Sequence, residues 1–204
     1  MRKRRVALMG GAFDPIHYAH LLDAEQAREA LGLDEVVFVP NNRPPFVKHG
    51  LASNEHRLEM TQLAVADNPA FSVSAMETER GGVSYSIDTV TSYHEEYPDL
   101  DELYFVTGAD AIAALDKWRR YEELVMLCAF VVVTRPGYDL AALESTLPAV
   151  AKGRVRFLPT PALEISSTDL RERVRQGRSI RYLTPPAVAD YIEAHGLYRD
   201  AAEG

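Results

Sequence analysis

Residues 6–20 constrain the fold more than any other stretch of this chain. Val6-Ala7-Leu8-Met9 is an apolar run short enough for a buried strand, Gly10-Gly11 ends it, Asp14-Pro15 turns, and an alanine- and leucine-rich segment reads as a helix. A strand that passes through a glycine turn into a helix start leaves backbone N–H groups free. They sit at the positive end of a helix dipole, and the combination suits a phosphate. His17 and His20, three apart, share one face of the first helical turn and can aim at the same anion. An imidazole donates a hydrogen bond whether neutral or protonated, so either form can hold a phosphoryl oxygen. The plainer alternative is that the glycines only turn the chain and the histidines only cap a helix.

A chain of 204 residues can bury a substantial core without staples, and one α/β domain covering 1–204 is the natural expectation. The single cysteine, Cys128, excludes an intramolecular disulfide and a Cys-rich zinc site, and its place in the apolar run 127–133 reads as a buried strand position. A net charge of −8 disfavours a nucleic-acid partner, and Arg2 to Arg5 read as a solvated leader. The apolar run after them is too short for a signal peptide and no span reaches membrane length. No membrane partner is therefore expected, and the cytoplasm is the default compartment.

Beyond the first turn, Leu21, Ala24, Ala27 and Leu31 recur at helical spacing and Gly32 closes the helix. A strand over 36–39 is continuous in apolar residues, as in a parallel sheet covered on both faces. A proline-interrupted loop over 40–53 leaves its carboxyl end, where ligands bind in open α/β sheets. A helix over 54–67 follows, in which His56 and Arg57 read as structural ion pairs with Glu55, Glu59 or the loop. Next come a strand over 71–74, a charged turn over 77–82, and a helix opening at 84–89 with Ser84 or Ser86 as N-cap. Strand 103–106 leads to Gly108 and Asp110, a carboxylate placed to accept from ribose hydroxyls. Strand 128–133, helix 140–150 and strand 155–158 continue the alternation. Ser166 with Asp169 caps a further helix. There Ser167 and Thr168 supply hydroxyls beside free N–H groups, and Arg171 can turn its guanidinium to the same end as a second phosphate clamp. Pro185-Pro186 begins a last helix that ends near His195 and Gly196. The fold class expected is α/β, a Rossmann-like, doubly wound, mostly parallel sheet with helices on both faces, in which residues 160–198 complete the phosphate site.

Gly-Gly-x-Phe-Asp-Pro-x-His-x-x-His resembles the signature of the nucleotidyltransferases whose HxGH motif binds ATP, and most closely that of the nicotinate-nucleotide adenylyltransferase family. The likeness spans nearly the whole chain. It includes Asn41 with Pro44-Pro45, Ser84-Tyr85-Ser86-x-Asp88-Thr89, Gly108-x-Asp110, Lys117-Trp118-Arg119, and Ile165-Ser166-Ser167-Thr168-x-x-Arg171. The resemblance implies transfer of the adenylyl group of ATP to nicotinate mononucleotide, giving deamido-NAD and pyrophosphate, with Mg²⁺ bound through ATP phosphates and no dedicated metal cage. It implies that His17, His20 and Arg171 are catalytic, and that Gly10, Gly11, Ala12, Phe13, Ser167 and Thr168 join them in binding ATP. Asn41, Lys48, Tyr85, Ser86, Gly108, Asp110 and Trp118 are implied to bind the mononucleotide, Trp118 by stacking on the nicotinate.

This sequence departs from the family at three places. Ala19 stands where glycine is usual and narrows the gap for the nucleotide. Phe46-Val47 replace a His-Lys pair, with Lys48 one position late. Arg119 replaces a tyrosine. Rival readings are a sibling transferase acting on nicotinamide mononucleotide or phosphopantetheine, a nicotinamide-dependent oxidoreductase, and a noncatalytic nucleotide-binding module. The glycine turn lacks the G-x-G-x-x-G of the oxidoreductase. A homo-oligomer stays open.

Overall fold

In the computed structural model, which describes residues 4–43, 52–134, 139–161 and 163–199, six strands form one sheet. They are β1 (Arg5–Gly11), β2 (Glu35–Pro40), β3 (Phe71–Val73), β4 (Glu102–Gly108), β5 (Ala129–Thr134) and β6 (Val155–Pro159). Their order is β3-β2-β1-β4-β5-β6, and every pairing is parallel. The sequence predicts a mostly parallel sheet, and the strands described are parallel throughout. The chain winds outward from β1 to β3, then returns to lay β4 against the other edge of β1, with Met9 opposite Val106. The carboxyl ends of β1 and β4 flank the point where the winding reverses, which is where an open α/β sheet forms its crevice.

The central strands are apolar on both faces because both are covered. Val6, Leu8, Phe105 and Phe130 pack beneath α4 (Ser86–Glu96), α5 (Ala109–Ile112), α6 (Tyr121–Leu127) and α7 (Leu140–Thr146). Ala7, Met9, Phe38 and Val131 face α1 (Tyr18–Leu31), α2 (Asn54–Val65), α8 (Ser167–Arg175) and α9 (Pro186–Ala194). Gly32, at a left-handed φ of 58°, stops α1, and Pro186 opens α9.

Several local expectations are corrected. The charged stretch expected as a turn contains a short helix, α3 (Met76–Arg80), closed by Gly81 at φ 70°. The helix expected over 140–150 stops at Thr146, because the residue before Pro148 is pushed out of helical backbone, and a 3-10 turn takes Ala149–Ala151. Neither serine caps α4. Tyr85 holds the cap position, and the Ser84 hydroxyl instead accepts the Asn42 N–H at 3.0 Å. Cys128 lies between α6 and β5 rather than in the strand, and burial pushes its thiol up to about 12. Arg4 and Arg5 are no solvated leader. Arg4 pairs with Glu35 at 2.5 Å and Arg5 with Glu102 at 2.7 Å, tying the start of β1 to both neighbouring strands. Among the described residues, no helix is long and apolar enough to cross a membrane.

Candidate active site

The glycine turn at the end of β1 is held from beneath by a buried ring. Phe13 takes a left-handed φ of 48°, uncommon for a bulky residue, and is 2 % exposed. Its ring packs on His20 (5.2 Å between centroids) and Phe38 (5.7 Å). A Cβ on Gly11 would lie 2.8 Å from the buried Phe13 ring, so that position needs glycine for close approach, while one on Gly10 would sit tightly at 3.3 Å from Phe105. Phe13 thus supports the turn from behind, leaving only its backbone to face a nucleotide.

His17 is the N-cap of α1 and His20 its third residue. Their rings stack at 3.6 Å, and the His17 N–H donates to His20 Nδ1 at 3.3 Å. A ring nitrogen that accepts a hydrogen bond carries no proton, so the N–H of neutral His20 sits on Nε2. Burial lowers the His17 imidazole to about 4, and its Nδ1 is buried without a hydrogen-bond partner. Burial, then the neighbouring His17, holds His20 well below its ordinary value. Both imidazoles are therefore neutral donors at pH 7.

The C-terminal segment grips the same turn. Arg171 donates to the Asp14 carbonyl at 2.7 Å and to Thr168 Oγ1 at 3.3 Å, so its guanidinium bends back to the start of α8. The Ser167 hydroxyl donates to the Pro15 carbonyl at 2.9 Å, and Thr184 Oγ1 to the Ile16 carbonyl at 2.7 Å. The Tyr18 N–H reaches the Leu183 carbonyl at 3.1 Å. Asp14, 1 % exposed, accepts from Ala52 N–H (3.1 Å) and Tyr198 O–H (2.7 Å), while Oδ2 lies 3.6 Å from Arg171. One expectation changes here. The Ser167 hydroxyl is engaged by the turn and the Asp169 N–H by Ser166 Oγ, so α8 offers a phosphate the backbone N–H groups of Ser167 and Thr168, the Thr168 hydroxyl and Arg171.

From Gly10-Gly11 a cavity of about 490 Å³ opens across the carboxyl ends of the strands. It gathers Asn41, Tyr85, Ser86, Asp110 and Trp118 from the sequence-based set, and adds Glu77, Ser84, Phe105, Thr107, Lys117 and Arg119. Trp118 meets Phe105 and Phe130 in T-shaped contacts, each at 6.0 Å between centroids, so it anchors the core and lines the cavity at once. Arg119 lies over the Tyr85 ring at 4.6 Å and 3.8 Å from Asp88, a cation where the resembled family has a tyrosine. A second cavity, about 240 Å³, shares Asp110 and contains Gly108, Asp23 and Thr160; the Ala19 methyl stands in its wall. Space beside Gly108 is open, with no atom within 4 Å of where a Cβ would be.

The residues expected from sequence therefore fall into two connected groups. Gly10 and Gly11 belong to both, Ala12, Phe13, His17, His20, Ser167, Thr168 and Arg171 form the gripped turn, and the rest line the cavities. Lys48 lies outside the described residues. For Arg57 the loop alternative holds: its hydrogen bonds go to Asn41, Asn42 and Ala52 of the loop, to Asn54 and to the Ala12 carbonyl of the glycine turn, as bonds to neutral oxygens. Asp14 and Tyr198 were missed as turn-holding residues. Asp14 stands inside the signature, which was signal enough; Tyr198, in a C-terminal stretch without a motif, carried none. Among the described residues, no group of three or more His, Cys, Asp or Glu could hold a metal ion.

A family model described as Cytidylyltransferase-like matches residues 8–173. A Roseiflexus protein named Probable nicotinate-nucleotide adenylyltransferase is 49 % identical over 98 % of this chain and 100 % of its own length. A Moorella thermoacetica protein of the same name is 46 % identical over 100 % of this chain and 95 % of its own. Among solved structures, Plasmodium falciparum nicotinic acid mononucleotide adenylyltransferase complexed with NaAD superposes with a TM-score of 0.78 at 22 % identity, covering 96 % of this chain and 97 % of that one, a likeness of fold. The glycine turn, the strand order and relatives nearly half identical from end to end agree: the chain belongs to the cytidylyltransferase-like family, among the nicotinate-nucleotide adenylyltransferases.

Proposed function

We propose that this chain transfers the adenylyl group of ATP to nicotinate mononucleotide, releasing pyrophosphate and deamido-NAD for NAD biosynthesis. The observation that carries the reading is the continuity of the site: a cavity of about 490 Å³, walled by Tyr85, Ser86 and Trp118, opens directly onto the Gly10-Gly11 turn beside the stacked histidines. The relatives' shared name supports the same acceptor.

The acceptor phosphate is already an anion and needs no base. One of its oxygens bonds to the α-phosphorus of ATP, and the opposite bond to the pyrophosphate oxygen breaks with its electron pair on the leaving group. Charge is the difficulty, and this chain's residues meet it with donors. His20 Nε2–H and His17 are aimed by their stack, the N–H groups opening α1 and α8 supply positive dipole ends, and Arg171 is fixed by its bond to the Asp14 carbonyl. Mg²⁺, if bound through the phosphate oxygens of ATP, would supply further charge neutralisation on the leaving pyrophosphate. Asp110 accepts from ribose hydroxyls, Trp118 stacks on the pyridine, and the N–H groups and hydroxyl at Ser86 receive its carboxylate. Residues 160–198 complete the ATP side of a single domain, and the reaction belongs in the cytoplasm.

Pyrophosphate release from ATP and Mg²⁺, with nicotinate mononucleotide or its amide as acceptor, tests the reading. The acid is expected to be preferred by at least about tenfold, since a site built for a carboxylate leaves donors unpaired with the amide. Equal turnover of the two overturns the acid assignment, and no pyrophosphate with either overturns the transfer.

A further inference from the structure

Arg57 is 1 % exposed, a cation in the interior, and its hydrogen bonds run to three separate segments. Nη1 donates to the Ala12 carbonyl at 2.8 Å, on the turn between Gly11 and His17, and to Asn41 Oδ1 at 3.4 Å. Nη2 donates to the Asn42 carbonyl at 3.1 Å and Asn54 Oδ1 at 2.6 Å, and Nε to the Ala52 carbonyl at 3.1 Å. One planar fork therefore joins the triphosphate turn, the exit of β2 and the start of α2. The chain of contacts continues outward. The Asn42 side chain accepts from Asn54 and donates to the Gly82 carbonyl at 2.6 Å, while the Asn42 N–H reaches Ser84 Oγ at 3.0 Å, directly before Tyr85. Asn41, which lines the cavity, is also tied by its N–H to the Gly11 carbonyl at 2.9 Å.

Burying a guanidinium is costly even with the Asp14 carboxylate acting on it through space, since all its hydrogen bonds named above go to neutral oxygens, and packing alone would be served by an apolar side chain of similar volume. What an apolar residue cannot do is hold three backbone segments at fixed angles with a rigid set of donors. The segments joined are the turn where ATP phosphates are proposed to lie and the wall where the mononucleotide is proposed to lie. We infer that Arg57 is a positioning residue that sets the distance and angle between the two substrates while touching neither. The inference rests on the adenylyl transfer proposed above.

Arg57→Lys keeps the charge and loses the fork. Because a misplacement of about 1 Å can cost about 10²-fold in rate, kcat is expected to fall about that much. The dissociation constants of ATP and of the mononucleotide, each measured alone by calorimetry, are expected to move less than about threefold, since each half-site keeps its own contacts. Asn54→Ala removes one acceptor from a partly exposed side chain and is expected to show the same signature at about three- to tenfold. Wild-type kcat in folded Arg57→Lys overturns the inference, as does a loss of both binary affinities that matches the loss of kcat. If Arg57→Lys does not fold, Asn54→Ala decides, and unchanged kcat overturns it. The wild-type protein in the same assay separates the two readings. No pyrophosphate with either mononucleotide ends the transfer reading and this inference with it. Turnover with the amide alone changes the acceptor and leaves the variant-to-wild-type ratio as the test of Arg57.

Discussion

The turn at residues 11–20 and the cavity wall from Tyr85 to Arg119 meet at Gly10-Gly11, yet they are held in opposite ways. Around the turn, polar groups are fixed by bonds that cross the sequence: Ser167, Arg171, Thr184 and Tyr198 all reach back to residues 14–16. The wall is reached by such bonds only at its edge, from Asn42 to Gly82 and Ser84, and beyond Tyr85 its position comes mainly from packing. Trp118 leans on Phe105 and Phe130, Arg119 lies over Tyr85, and Asp110, Lys117 and Arg119 are exposed. Charge developing on phosphorus is best met by dipoles that need no reorganisation, whereas an acceptor is chosen by shape and a few polar contacts. The turn should therefore govern kcat and stability, and the wall should govern the KM of the mononucleotide.

The strongest challenge is His20→Ala, for which kcat is expected to fall about 10²- to 10³-fold in a variant that still folds. Wild-type turnover in the folded variant would remove the imidazole from the chemistry. Next is pH. His17 titrates at about 4 in the folded protein against 6.5 in its absence, so the unfolded chain takes up a proton that the folded one refuses. Its contribution is full above 6.5 and is lost as pH falls towards 4, by up to about 3 kcal/mol. Urea unfolding at pH 7.5 and near 4 should show a smaller loss in His17→Asn than in the wild type; equal losses would contradict a buried neutral ring.

A paired substitution sharpens the contrast between bonded turn and open wall. Gly11→Ala drives a methyl into the Phe13 ring and should cost about 1–3 kcal/mol in chemical denaturation. Gly108→Ala meets open space and should stay within about 0.5 kcal/mol while still lowering activity. Equal costs would mean that the turn is no tighter than the wall. The smallest effect is expected for Trp118→Phe. A weaker stack on the pyridine corresponds to about 0.5–1.5 kcal/mol, so the mononucleotide KM should rise about two- to tenfold with the ATP KM unchanged. A rise in both would place Trp118 in the shared scaffold.

Much of this architecture is legible in the chain because it depends on neighbours in sequence. Apolar runs make strands, Gly32 and Ser166 close and open helices, and the three-residue spacing of His17 and His20 brings their rings together. Arg171 turning back towards its own helix start is likewise a matter of one helical turn. Where local rules competed with distant partners, they failed. Ser84 suits an N-cap but bonds to Asn42, and the Ser167 hydroxyl could face an anion but bonds to Pro15.

By itself, then, the sequence determined the strands and most of the longer helices, the α/β class, and the glycine turn and helix starts from which a phosphate site is proposed, since each follows from backbone periodicity and short-range geometry. Only the tertiary structure decided that a buried Arg57 joins three segments, that Asp14 anchors Tyr198, and that both imidazoles are neutral. Hydrogen-bond partners far apart in the chain and the loss of water around a ring are properties of the packed interior, and no local pattern of residues encodes them.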